Sequence, residues 1–330
     1  MKAIYPPKLK KWDTVMVVAP ARNATILSEE TINRAIERLE NLWLKVLLWK
    51  HIMENDEFGT SSIESRVADI HDAFKRPDVK GLFSVVGWWS TNQIIDYLDY
   101  DLIKNNPKIV CWFSDITVLH NAIFAKTWLI TYYWPHFSTW WMKYWIEYIT
   151  EYFQKCCMSD DSFEIKDSKE WSDDLWFLDQ EKRTFKENEG SIIQQWGKSC
   201  KWKIYWGNLE CLCVLTGTQY FPKADEDIVL FIEQDSEWNE VRFIRRLEQL
   251  CQSDLINHIK WLVIGKFQNE NHISTERLKQ IITKQKKLHD IPVISNVNFG
   301  HVMPIFTFPI GWECELSVDN NLIHLTILKH

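Results

Sequence analysis

The sequence predicts an α/β fold built on a mainly parallel sheet with helices on both faces. Apolar runs of strand length alternate with segments of helical periodicity through the first half. Those runs are continuously apolar, as strands buried on both faces require. Beyond residue 200 the alternation restarts after a long polar interval, which places a second α/β region there.

The elements follow in order. Residues 14–19 (TVMVVA) form a buried strand, and 29–42 carry apolar residues at helical spacing. A strand at 44–48, a helix at 63–74 and a strand at 81–86 (GLFSVV) come next, then a helix over 92–98. Ile109, Val110 and Cys111 form a strand that runs into a short turn carrying Ser114. An amphipathic helix with Ile116, Leu119, Ala122 and Ile123 on its apolar face follows, and then a strand at 129–133. Residues 159–194, rich in Asp, Glu, Lys and Ser, read as a long loop or inter-domain connection. The expected division is therefore 1–155, a connecting region 156–200, and 201–330. In the last region strands at 203–205, 228–232, 261–264 and 292–295 are separated by helical patterns, one of them beginning after Asn208. Short strand-like runs fill 306–328, and no internal repeat is visible.

Composition excludes several function classes. A net charge of -7 argues against nucleic acid as the main partner, and the short basic runs read as solvated faces. No apolar run approaches the roughly 20 residues needed to span a bilayer. The first residues (MKAIYPPKLKKWD) lack the apolar core of a signal peptide, so a cytoplasmic protein is expected. Eight cysteines without C-x-x-C spacing read as reduced thiols, and neither a metal nor another cofactor is expected.

A serine at a sharp strand-to-helix turn has its hydroxyl pushed out of the sheet, with the first helical N–H groups pointing at whatever it attacks. Ser114 is so placed, at the carboxyl end of a strand, where parallel sheets bind ligands. The same residue also suits a helix cap, with Asp115 adding favourable charge. A serine nucleophile needs a base, and the base an orienting carboxylate. Glu233 ends the strand VLFIE, and His301 follows Asn298-Phe299-Gly300 in a strand-end loop. Each has an ordinary alternative, a cap or salt-bridge partner for Glu233 and a surface residue for His301.

The chain resembles the LD-carboxypeptidase family of serine peptidases, and most closely its microcin C immunity branch. The matching segments are VVGWWSTNQ (85–93), YDLIKNNPKIVCWFSDIT (100–117), WPHFST (134–139), WSDDLWFLDQE (171–181), WGNLECL (206–212), IVLFIEQDSE (228–237) and NFGHVMPIFTFPIG (298–311). The resemblance implies a Ser114, His301 and Glu233 triad, an N-terminal α/β domain carrying the nucleophile elbow, a smaller C-terminal α/β domain, and a homodimer. It implies a peptide-like small-molecule substrate whose amide near the C-terminal end is hydrolysed. The backbone N–H groups of Asp115 and of the Gly87-Trp88 turn would hold the oxyanion. Asn208, Trp176 and His136 are implied at the substrate, with Ser138 beside His136. Trp176 either stacks on a flat group or anchors its loop. The substrate is either an aminoacyl-nucleotide antibiotic of the microcin C type or a muropeptide tetrapeptide, and the alternative of another class is an inactive binding protein.

One departure stands out. The chain has nineteen tryptophans and ten glycines, about 3% glycine against an average near 7%. Where the family pattern has glycine this chain has Trp12, Trp43, Trp49, Trp88, Trp112, Trp128, Trp134, Trp141, Trp145, Trp202, Trp206, Trp261 and Trp312. Trp89, Trp140, Trp171 and Trp176 stand where the family accepts aromatics. UGA codons read as glycine in the source and translated as tryptophan produce this pattern; the alternative is a divergent chain with a crowded site. A chain carrying the indoles literally is expected to show strained turns or indoles pushed into solvent.

Overall fold

The computed structural model describes residues 3–320 and 322–328. In chain order the elements are β1 (Thr14–Val18), α1 (Glu29–Asn41), β2 (Lys45–Leu48), α2 (Ile63–Lys75), β3 (Val79–Ser84), α3 (Tyr100–Asn105), β4 (Ile109–Trp112), α4 (Thr117–Thr127), β5 (Thr131–Tyr133) and α5 (Ile146–Cys157). There follow β6 (Phe163–Ile165), β7 (Glu170–Trp171), β8 (Lys186–Glu187), β9 (Ile192–Gln195), β10 (Cys200–Asn208), α6 (Leu209–Val214), β11 (Ile228–Glu233), α7 (Glu240–Gln252), β12 (Ile259–Gly265), α8 (Thr275–Lys284), β13 (Val293–Val297), β14 (Phe308–Ile310), β15 (Glu313–Asp319) and β16 (Leu322–Ile327). The chain divides into two compact units, Met1–Asp160 with Thr307–Gly311, and Asp161–Phe306 with Trp312–His330.

The first unit holds a six-stranded sheet of order β14-β5-β4-β3-β1-β2, in which β1 to β5 are parallel and β14 adds an antiparallel edge. Chain order reverses between β1 and β3, the point at which sheets of this topology bind ligands outside the strand carboxyl ends. Helix α1 shows how local sequence builds the cover. The Ser28 hydroxyl accepts from the Thr31 N–H, Glu29 and Glu30 occupy the first turn, and Thr31, Ala35 and Leu39 form the buried stripe.

Two local expectations are corrected. Residues 92–98 are two 3₁₀ turns, Thr91–Gln93 and Ile95–Tyr97, and the α-helix starts only at Tyr100, where the Asp99 carboxylate accepts from the Leu102 N–H. Helix α4 is buried on nearly every side, so its polar residues are satisfied internally. His120 Nε2–H donates to the Trp112 carbonyl (2.8 Å) and Nδ1 accepts from the Thr131 hydroxyl (2.7 Å). Burial pushes the His120 pKa down to about 3, which keeps the imidazole neutral.

The second unit holds an eight-stranded sheet of order β6-β16-β15-β10-β11-β12-β13-β9. Its centre, β10 to β13, is parallel, and antiparallel strands close both edges. The polar stretch expected as a loop supplies β6 and β9 to this sheet and pairs β7 with β8. Among the described residues, no helix is long and apolar enough to cross a membrane.

Candidate active site

In the first unit Ser114 sits directly beyond β4 with φ +63°, opening a 3₁₀ turn that leads into α4. A left-handed backbone at a non-glycine residue is uncommon and signals a constraint. The N-cap positions of the 3₁₀ turn and of α4 belong to Phe113 and Ile116, so the helix-cap reading of Ser114 does not hold. Asp115 is buried, and its carboxylate accepts from the Thr91 N–H (2.9 Å) and the Thr91 hydroxyl. That pair ties the turn after β3 to the elbow. Arg66 of α2 also holds that turn, donating to Pro20 O, Ser90 O and the Gln93 amide oxygen.

Gly87 lies against the nucleophile. A Cβ built on it would stand 2.9 Å from Ser114 Cβ, 3.1 Å from Ser114 Oγ and 3.5 Å from His136 Nε2. A side chain there cannot be accommodated without moving the serine, so this close approach to Ser114 calls for glycine. His136 is buried beside the same turn, with Nδ1 2.5 Å from Ser84 Oγ and its ring 4.2 Å from that of Phe113. Trp88 points elsewhere: its ring lies 3.9 Å from the Arg22 guanidinium carbon and is partly exposed.

In the second unit Glu233 ends β11 and is buried, and its Oε2 lies 2.7 Å from His301 Nδ1. Gly300, at φ +108°, makes this contact possible, because a Cβ there would stand 3.2 Å from Glu233 Cβ. Burial disfavours the imidazolium. The Glu233 charge and hydrogen bond, joined by Asp235 and Glu237, outweigh burial and raise the His301 pKa to about 9. Asn208 pairs in register with Glu233 across β10 and β11. Its side chain caps α6 at the Cys211 N–H and donates to Asp235 Oδ2 (3.1 Å). Trp176 lies in the segment between β7 and β8, edge-on to Phe177 at 6.0 Å. That segment begins at Ser172, which exchanges both backbone hydrogen bonds with Met303, two residues beyond His301. Arg183 donates Nε–H to both Asp174 oxygens at 2.9 Å and braces the segment.

Asp235 and Glu237 escaped the sequence reading, as did Thr91 and Arg66. The two acids follow Glu233 by two and four residues in the same strand-end loop, a signal that was available. Thr91 and Arg66 act through tertiary contacts that spacing does not reveal. Among the described residues no group of three or more His, Cys, Asp or Glu could hold a metal ion.

Residues 15–134 match the LD-carboxypeptidase N-terminal domain, and residues 203–316 match the LD-carboxypeptidase C-terminal domain. The chain belongs to the LD-carboxypeptidase family. Within that family it is 45% identical over 327 residues to YocD of Bacillus subtilis (strain 168), a protein named for its assignment as a carboxypeptidase, covering 99% of this chain and 100% of the relative. An MccF-like protein from Bacillus anthracis str. Ames has a solved structure with TM-score 0.96 and 41% identity, covering 99% of this chain and all of that one. The Microcin C7 self-immunity protein MccF of Escherichia coli is 25% identical over 95% of this chain and 93% of its own length. Its solved complex with aspartyl sulfamoyl adenosine shares the fold, with TM-score 0.87 and 99% of each chain covered.

Proposed function

We propose that this LD-carboxypeptidase family member is a serine carboxypeptidase that hydrolyses the amide of a peptidyl-nucleotide of the microcin C type. The observation that carries the serine mechanism is Ser114 at φ +63° on the turn between β4 and α4, a strained elbow with Gly87 packed against it. Ser114 Oγ attacks the carbonyl carbon while His301 Nε2 takes its proton. The Glu233 carboxylate accepts from Nδ1–H, fixing the ring tautomer and stabilising the imidazolium. The N–H groups of Asp115 and of the Gly87-Trp88 turn receive the oxyanion. His301 then protonates the leaving nitrogen, the amide C–N bond breaks, and water attacks the acyl-serine with His301 again as base.

A pKa of about 9 at His301 sets the pH dependence. The imidazole must be neutral to take the serine proton. At neutral pH most of it is protonated, so kcat/KM should rise by about tenfold per pH unit below that pKa and level off above it. Glu233→Gln removes the principal charge that raises it and should move the rising limb toward the ordinary histidine value of about 6.5. A pH profile of kcat/KM checks this; a limb near 6.5 that Glu233→Gln leaves in place contradicts the assignment.

The nucleotide reading is supported by Trp176, half-buried in a segment tied to the His301 loop, and by the sulfamoyl adenosine bound to MccF. Base–aromatic stacking is worth about 1–3 kcal/mol per base, so Trp176→Ala should lower kcat/KM by roughly tenfold or more on an aminoacyl sulfamoyl adenosine. Comparing that substrate with a muropeptide tetrapeptide is the test. Equal or faster hydrolysis of the muropeptide, with no response to Trp176→Ala, assigns the enzyme to cell-wall recycling instead.

A further inference from the structure

We propose that the native protein carries glycine at the thirteen tryptophans that stand at family glycine positions, encoded by UGA codons that its source reads as glycine. The thirteen were identified from sequence, and backbone angles provide an independent check. Nine non-glycine residues have positive φ among the described residues, and five of them are tryptophan: Trp12, Trp43, Trp128, Trp134 and Trp145, with φ between 58° and 73°. All five belong to the thirteen. None of the other six tryptophans, Trp89, Trp140, Trp171, Trp176, Trp196 and Trp238, has a positive φ. The remaining positive-φ residues are Asn296, Asn320 and His272, types that tolerate this region, and Ser114 at the elbow.

Each of the five occupies a place where chain geometry calls for glycine. Trp128 ends α4 in the left-handed conformation with its N–H bonded to the Phe124 carbonyl, the position that glycine fills after most such helices. Trp145 holds the same conformation immediately before α5. Trp12 and Trp43 meet at one crossing, where the Trp12 N–H donates to the Trp43 carbonyl. Their indoles, 60% and 48% exposed, have only been turned outward against each other, with ring centroids 5.1 Å apart. Trp134 is buried, and its indole N–H has no hydrogen-bond partner. Trp112 is also buried with an unpartnered indole N–H, a feature costly in any interior. Trp140 shares that feature, so the backbone angles carry the assignment at five of the thirteen positions, and the sequence pattern extends it to the other eight. The assignment does not rest on catalysis, but it changes the nucleophile's surroundings. Glycine at 88, 112 and 134 removes the indole that follows Gly87, the one two residues before Ser114, and the one packed 4.5 Å from the Phe113 ring.

Peptide mass analysis of the protein purified from its source organism tests this. Trypsin releases residues 109–126, which carry Trp112 and Ser114, and residues 170–182, which carry Trp171 and Trp176. The first peptide should be lighter than the literal sequence by one tryptophan-to-glycine difference, and the second should keep both indoles. The peptides covering 12, 43, 128, 134 and 145 should each show glycine, from a gene with UGA at those codons and UGG at the six retained tryptophans. Tryptophan at 112 or at any of the five positive-φ positions in the native peptides, or UGG at those codons, overturns the proposal.

Discussion

Ser114→Ala and His301→Ala should each abolish turnover while leaving the fold intact. Removing the serine or histidine of a working triad costs on the order of 10⁶-fold in kcat, and removing both costs little more, because the residues act as one unit. Glu233→Ala should cost less, about 10⁴-fold, since the carboxylate orients His301 at 2.7 Å and does not itself react. Steady-state kinetics on the purified variants, with circular dichroism to confirm folding, measures all three losses. A Ser114→Ala enzyme that keeps more than about a hundredth of the activity removes Ser114 from the mechanism.

Replacing Trp12, Trp43, Trp128 and Trp145 with glycine should stabilise the chain as written. None of these four is buried, so their removal leaves no large cavity. A left-handed backbone costs an L-residue roughly 1–2 kcal/mol, against which glycine loses about 0.5–1 kcal/mol of extra chain entropy. The net gain is about 0.75 kcal/mol per site and about 3 kcal/mol for the four, a large share of a total near 5–15 kcal/mol. Urea unfolding of the literal and four-glycine chains at equal concentration reads this as a higher midpoint. An unchanged or lower midpoint shows that the indoles relieve the strain elsewhere.

Much of the fold was legible because its central strands are buried on both faces. β4 is apolar throughout, and β1, β3, β11, β12 and β13 are mainly apolar runs with only one or two polar residues each, so the strand reading of their sequences needs no partner. Pairing that depends on distant partners was not legible. β9 is a polar Ile-Ile-Gln-Gln strand that exists by pairing with β13, and β7 and β8 are two residues each. Helix α5 carried a legible signal that the sequence reading passed over: Ile149, Tyr152, Phe153, Cys156 and Cys157 recur at helical spacing and form its buried stripe. At the site, Ser114 and Glu233 were visible as strand ends. The left-handed backbone of Ser114 was not visible, since serine does not advertise it. Nor could spacing reveal that Thr91 bonds Asp115 and Arg66 bonds Ser90, or that Asn208 reaches Asp235.

The most direct test of the account is covalent labelling of the native enzyme with a fluorophosphonate, which bonds only to an activated serine. After digestion the adduct should map to Ser114 within residues 109–126, appear faster as pH rises toward about 9, and be lost in Ser114→Ala and strongly slowed in His301→Ala. A folded protein that hydrolyses its substrate without labelling Ser114, or that labels equally fast without His301, contradicts the triad.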